Sequence, residues 1–198
     1  MHEHLVFTLT AALGAMGELA GHERRGSWAW PGRSAVLGLC AAALGIRRDG
    51  DFGALDRLGL AVATFDVATF DPGEPVRDFH TTVSIPASVV RRPQSRAEAL
   101  RIDAGRSNAT ITLRDYRVGV LYGVALWGEG LAEVEAALKR PAFTLYLGRK
   151  SCSLAAPLKP RLLLAADAAT ALAEGIELPP WRAGARATIL ATEEDLLA

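Results

Sequence analysis

The stretch Arg114-Asp115-Tyr116-Arg117-Val118-Gly119-Val120-Leu121-Tyr122-Gly123-Val124-Ala125-Leu126 decides the fold. Tyr116, Val118, Val120, Tyr122, Val124 and Leu126 recur at every second position, the period of a strand. Just downstream, Leu131, Val134 and Leu138 carry the spacing of one helix face. That helix has a basic last turn at Lys139 and Arg140, which suits the negative end of the helix dipole, and Pro141 stops it. Phe143–Leu147 reads as the next strand. The region is a strand–helix–strand unit.

Upstream the same order occurs once more. Leu5, Phe7 and Leu9 alternate with Val6, Thr8 and Thr10 as a first strand. Ser34 is the expected N-cap of a helix over Ala35–Leu44, with Gly45 in the stop position. This helix is apolar all round and should be buried on more than one side. Leu58–Phe65 is a second strand. Between the two units, residues 77–114 hold Pro86, Pro93 and many arginines without a clean helical period. Val83 and Ile85, set against Ile111 and Leu113, predict a long hairpin that projects as an arm.

The predicted fold is therefore α+β: a ferredoxin-like (RRM-like) β-α-β-β-α-β core with an inserted arginine-rich β-hairpin arm, or thumb. The core domain is expected at 1–154. Residues 155–198 are expected to form a small C-terminal β-rich appendage, with strands at Arg161–Ala165 and Ala187–Ala191.

Half of the 198 residues are hydrophobic, enough for a sizeable core and against disorder. Lys and Arg total 22 and Asp and Glu total 22, but this balance hides an uneven distribution. Arg77–Arg117 holds eight arginines against Asp78, Glu98, Asp103 and Asp115, whereas Glu174 to the end is acidic. A basic middle points to an anionic partner. Cys40 and Cys152 lie far apart, and Cys40 reads as a buried small hydrophobe. The N-terminus does not read as a signal peptide, and the apolar run Ala35–Ile46 is too short to span a bilayer. A cytoplasmic protein with no membrane partner is expected.

Leu145-Tyr146-Leu147-Gly148-Arg149-Lys150-Ser151-Cys152 concentrates the chemistry. Gly148 permits φ > 0 and close approach of another backbone. Arg149, Lys150 and Ser151 then supply phosphate-type donors. Arg33 and Ser34 open a helix, where free N–H groups favour an anion. Arg91, Arg92, Arg96, Arg101 and Arg106 populate the arm, suited to clamping a polyanionic backbone. His2 and His4 lack a third ligand, so no metal site is expected, and no cofactor. Tyr116, beside Arg114, suits either core packing or stacking on a base.

Four segments resemble one family in order and spacing. They are Arg33–Leu39 with Ala41–Asp49, Arg77-Asp78-Phe79-His80-Thr81, Arg114-Asp115-Tyr116, and Leu145–Leu158. The family is CasD, of the RAMP superfamily, a subunit of the type I-E CRISPR Cascade complex. The resemblance implies a non-catalytic RNA-binding subunit that caps the 5′ handle of the CRISPR RNA. It implies contacts with the backbone subunit CasC and the large subunit CasA, and with target DNA only through the complex. The RNA-binding set it implies is Arg33, Ser34, Arg77, His80, Arg91, Arg92, Arg96, Arg101, Arg106, Arg114, Tyr116, Gly148, Arg149, Lys150 and Ser151. The chain departs from the family after the first strand, where Ala11-Ala12-Leu13-Gly14-Ala15-Met16-Gly17 replaces the usual Gly-Pro-Leu-Gln-Ser-Trp-Gly.

Two other classes compete. A metal-independent endoribonuclease acting on CRISPR repeats would draw on His80, Tyr116 and Lys150 as general acid and base groups. A ferredoxin-like enzyme for a small phosphorylated ligand lacks any Walker-type loop, GxGxxG fingerprint or nucleophile elbow.

Overall fold

The computed structural model describes residues 1–20, 23–66, 73–85, 94–102 and 108–192. Its strands are β1 (His2–Gly14), β2 (Gly17–Ala20), β3 (Arg24–Ser27), β4 (Gly59–Asp66), β5 (Glu74–Ser84), β6 (Asn108–Trp127), β7 (Arg161–Ala165) and β8 (Arg186–Ala191). The helices are α1 (Arg33–Leu44), α2 (Arg96–Ile102), α3 (Leu131–Lys139) and α4 (Ala168–Gly175). All the strands belong to one eight-stranded, mostly antiparallel sheet.

β6 is the spine of that sheet. At its C-terminal half it lies between β1 and β4, with Leu126 opposite Leu5 on one side and Leu60 on the other. β7 extends the sheet beyond β1, and β8 extends it beyond β4. At its N-terminal half β6 pairs with β5 on one flank and, in parallel, with β3 on the other. Residues 155–198, read from sequence as an appendage, thus contribute β7 and β8 to the same sheet.

Period-2 alternation sorts the buried residues into two layers. Leu5, Phe7, Leu9, Val120, Tyr122, Val124 and Leu126 join the cluster that holds α1 and α3 residues such as Val36, Cys40, Leu131 and Val134. Val6, Leu121 and Ala125 point the other way, toward Ala171 and Leu172 of α4. With both faces covered, even Thr8 and Thr10 of β1 are buried, and both hydroxyls are satisfied. Thr8 Oγ1 donates to the Glu177 carbonyl (3.2 Å) and Thr10 Oγ1 to the Val120 carbonyl (3.1 Å). Cys40 is fully buried, as expected, and burial pushes its thiol up to about 12.

Three expectations need correction. The N-cap of α1 is Gly32, and Ser34 lies inside the first turn, because Ala35 N and Val36 N already donate to the Gly32 carbonyl. Phe143–Leu147 is no strand beyond an isolated bridge between Tyr146 and Ser153. Its backbone is used elsewhere: Ala142 N and Phe143 N donate to the Ala43 and Ala42 carbonyls, capping the end of α1. The edge position beside β1 goes to β7 instead. Finally, the arm carries a helix, α2. Glu98 N donates to Ser95 Oγ (3.2 Å) and the Glu98 carboxylate accepts from Gln94 N (2.9 Å), a close relative of the capping box.

Candidate nucleic-acid interface

The glycine at 148 is a structural requirement. Its φ is +82°, and a Cβ there would lie 1.7 Å from the Ala15 carbonyl oxygen. Ala15 N donates to the Leu147 carbonyl (3.1 Å), so the 147–152 turn docks on the chain leaving β1. Leu147 N to the Cys152 carbonyl and Cys152 N to the Arg149 carbonyl close the turn at 2.9 and 2.8 Å. Lys150 and Ser151 are left exposed at its tip.

Arg149 is not a free surface cation. Its guanidinium carbon sits 4.4 Å from the centroid of the Tyr116 ring, a cation–π contact that orients the fork. Tyr116 itself is half-buried against the α1-side core. Among the described residues Arg149 Nη1 is buried without a hydrogen-bond partner, as are Nε of Arg114, two residues from Tyr116 on the same face of β6, and Nε of Arg117 on the other face. Such nitrogens are costly to leave unsatisfied, which favours an acceptor supplied from outside the chain.

The opposite face of β6 carries a second arrangement. Asp115 Oδ1 accepts from Arg77 Nε at 2.8 Å, and its Oδ2 accepts from Arg24 Nη2 at 2.9 Å and Nε at 3.1 Å. The Arg77 hydrogen bond, helped by Arg24 and by both positive charges, outweighs partial burial and holds the Asp115 carboxyl down at about 2. The same bond raises the Arg77 pKa. One carboxylate therefore fixes two exposed guanidinium groups, one from β3 and one from β5. Next to it, Arg117 donates to the Gly73 carbonyl (2.8 Å) and the Ser27 carbonyl (3.2 Å), clipping the arm root to β3.

Of the residues singled out from sequence, Arg114, Tyr116, Gly148, Arg149, Lys150 and Ser151 share one neighbourhood. Arg77 and His80 do not share a face. They are three residues apart on β5, and His80 pairs across from Thr112 while Arg77 pairs across from Asp115. Arg33 donates to the Asp56 carbonyl at 2.8 Å at the start of α1. Arg101 is exposed on α2, and Arg96 lies on the same helix. Arg91, Arg92 and Arg106 fall outside the described residues. The RNA-binding set read from sequence left out Arg24, Arg25 and Arg117, and gave Asp115 no part in holding the cations. Arg24-Arg25 is an adjacent cation pair, the same signal that marked Arg149-Lys150, and Arg25 pairs with Arg114 in the sheet. Among the described residues no group of three His, Cys, Asp or Glu comes together as a metal site, and no helix is long and apolar enough to cross a membrane.

Fold and site together define a mixed α+β protein whose sheet ends in an arginine-rich arm. Residues 4–194 match the family model described as CRISPR-associated protein (Cas_Cas5). The chain belongs to this Cas5 family. It is 32% identical over 171 residues to the CRISPR system Cascade subunit CasD of Escherichia coli (strain K12), covering 80% of this chain and 70% of the relative. A chain of a solved "CRISPR RNA-guided surveillance complex" superposes with a TM-score of 0.62 at 24% identity, over 82% of this chain and 64% of that one. A structure titled "Crystal structure of Cas protein" matches with a TM-score of 0.55 at 27% identity, over 85% of this chain and 69% of that one. The chain thus spans just under two thirds of the surveillance-complex chain.

Proposed function

We propose that this protein is a non-catalytic RNA-binding subunit of a type I-E Cascade surveillance complex. In this reading it caps the 5′ handle of the CRISPR RNA and links the large subunit CasA to the backbone subunit CasC. The observation that carries the reading is the Tyr116-stacked Arg149, whose buried Nη1 lacks an acceptor among the described residues, as does Nε of Arg114 on the same face as Tyr116. A phosphate or base edge supplies what these nitrogens lack. The likeness to CasD supports the complex in which this happens.

The core supports a ferredoxin-like reading: strand order β4-β6-β1-β7, all antiparallel, with α1 and α3 on one face. RNA holding is assigned to residues 1–154, and the 155–198 segment contributes β7 and β8 at the sheet edges. Guide–target pairing then reads the DNA while protein holds the RNA backbone.

The nuclease reading fares worse. His80 pairs across from Thr112 and Tyr116 across from Val76, four residues away along β5, or about 13 Å at strand rise. General acid and base must reach the same phosphodiester, within hydrogen-bond distance of its oxygens. Tyr116 is also engaged by Arg149.

Co-expression with the other Cascade subunits and a CRISPR array, followed by sequencing of the bound RNA, tests the proposal. Uniform guides with a protected repeat-derived 5′ end are the expected result. An assembled complex with an unprotected 5′ end overturns the capping role.

A further inference from the structure

Phe79 is the feature that the site described above leaves unused. It is 71% exposed, in the middle of β5, where a large aromatic side chain gains nothing for folding. Its position on the strand says more. Phe79 is two residues from Arg77, so both side chains leave the same face of the arm. Its partner across the ladder is Leu113, which in turn pairs with Arg24 of β3, and Leu113 is two residues from Asp115. The exposed Ile111, 54% accessible, is next along that face. One sheet face therefore presents an aromatic ring and its aliphatic neighbours directly beside two guanidinium groups held by one carboxylate. Arg24 and Arg77 remain 60% and 45% exposed despite their bonds to Asp115. With two arginines to one aspartate, the fork keeps a net positive charge and spare N–H donors.

We propose that this face is a second contact surface for single-stranded RNA, in which Phe79 stacks on a base and the Arg24–Asp115–Arg77 fork holds the adjoining phosphate. This rests on the RNA-binding reading and extends it to the face of the arm opposite Arg114, Tyr116 and Arg149. The pairing of a flat ring with a flanking cation is what a sequence-tolerant single-strand site requires: stacking supplies affinity for any base, and the guanidinium fixes the backbone. Charge complementarity selects this occupant. A protein partner docking on Phe79 would bury the neighbouring fork and would have to match its surplus charge. Asp115 acts here as a positioning residue, setting both forks before the RNA arrives.

The test titrates the full chain with a short single-stranded RNA carrying 2-aminopurine at successive positions, read by fluorescence and by affinity across a salt series. Phe79→Ala should weaken binding about tenfold to a hundredfold, as loss of one stacked base does. It should also abolish quenching at one position and leave the slope of log K against log salt unchanged. Phe79→Trp should restore affinity and quenching, whereas Phe79→Leu should behave like alanine because it keeps apolar area without a π face. Arg77→Ala should lower the salt slope by about 0.7, one phosphate's worth on a single strand. The exposure of Phe79 makes its variants safe for folding, which circular dichroism checks.

Unchanged RNA affinity in Phe79→Ala, with Arg149 and Lys150 still required, overturns this second surface and leaves the first standing. Unchanged RNA affinity together with lost Cascade assembly makes the face a protein-docking surface and also overturns it. Failure of the unaltered chain to bind RNA at any salt overturns both readings.

Discussion

The two halves of β6 are one strand with opposite characters. Residues 120–126 are buried without exception, flanked by β1 and β4 and covered by helices on both faces. Within residues 109–118, flanked by β5 and β3, only Thr112 and Asp115 are buried, and both are polar. Gly119 marks the joint, with φ +61° and its carbonyl accepting from Arg182 Nη2 at 3.0 Å. The root is held by apolar area that any charge would disrupt, and the arm by hydrogen bonds and ion pairs open to solvent. Apolar packing sits in the C-terminal half and exposed arginine chemistry in the N-terminal half, along a single run of backbone.

The contrast breaks most sharply at the root. Leu126 is fully buried between strands and helices. Leu126→Asp places an unpaired carboxylate there, a change among the few that exceed about 4 kcal/mol. No cooperative thermal transition should remain. A folded variant with a Tm within a few degrees would show that the root is not the stabilising half.

Gly148→Val comes next. The turn has a backbone conformation that a β-branched residue resists, and the added carbon meets the Ala15 carbonyl. A loss of about 3 kcal/mol is expected, near 10 °C in Tm for a chain of this size. RNA affinity should fall with it, since Arg149 is positioned by this turn. A variant with full stability and weakened RNA binding would instead make Gly148 a contact residue alone.

The root was legible because it obeys one rule, alternation, over a long run. β1 follows the same rule, whereas β4, β7 and β8 were read as short, largely apolar runs, and all four lie within a few residues of where the sequence reading puts them. Phe143–Leu147 satisfies the pattern and still fails as a strand, because pattern does not say which backbone groups a segment will meet. Here the open carbonyls at the end of α1 capture it. Ser34 is a good cap by type, yet Gly32 is already in place two residues earlier with its carbonyl aimed along the helix. Of the site, Gly148 was legible from the glycine itself and its basic neighbours. The Arg24–Asp115 pair was not, since 91 positions separate the partners and only the β3–β6 pairing brings them together. The separation of Arg77 from His80 was available in principle, because residues three apart on a strand face opposite ways.

At the 147–152 turn, effects should appear in binding before stability. Removing Arg149 and Lys150 together as alanines should weaken affinity for handle RNA about tenfold or more at low salt. It should also flatten the salt slope by roughly one to two units, since each phosphate contact on a single strand contributes about 0.7. The Tm should move by only a few degrees, although Arg149 loses its ring contact with Tyr116. An unchanged slope would remove these cations from the interface.

Asp115→Asn should give the smallest effect on stability and the most specific pH signature. Its carboxyl titrates at about 2 in the fold against an ordinary value of 3.8, because Arg77 and Arg24 favour the charged form. The stabilisation it supplies is therefore complete above about pH 4 and is lost as pH falls toward 2. Since both arginines are largely exposed, solvent screening keeps this contribution small. The difference in stability between the natural chain and Asp115→Asn should be constant from neutral pH down to about 4 and close below it, followed by denaturant unfolding at each pH. Asn keeps an oxygen acceptor for one guanidinium but offers no second anionic oxygen, so the β3–β5 link is loosened while the root is untouched. A difference that stays the same at pH 2 and pH 7 would mean that the side chain matters by shape alone, and that the arm, like the root, is held by packing.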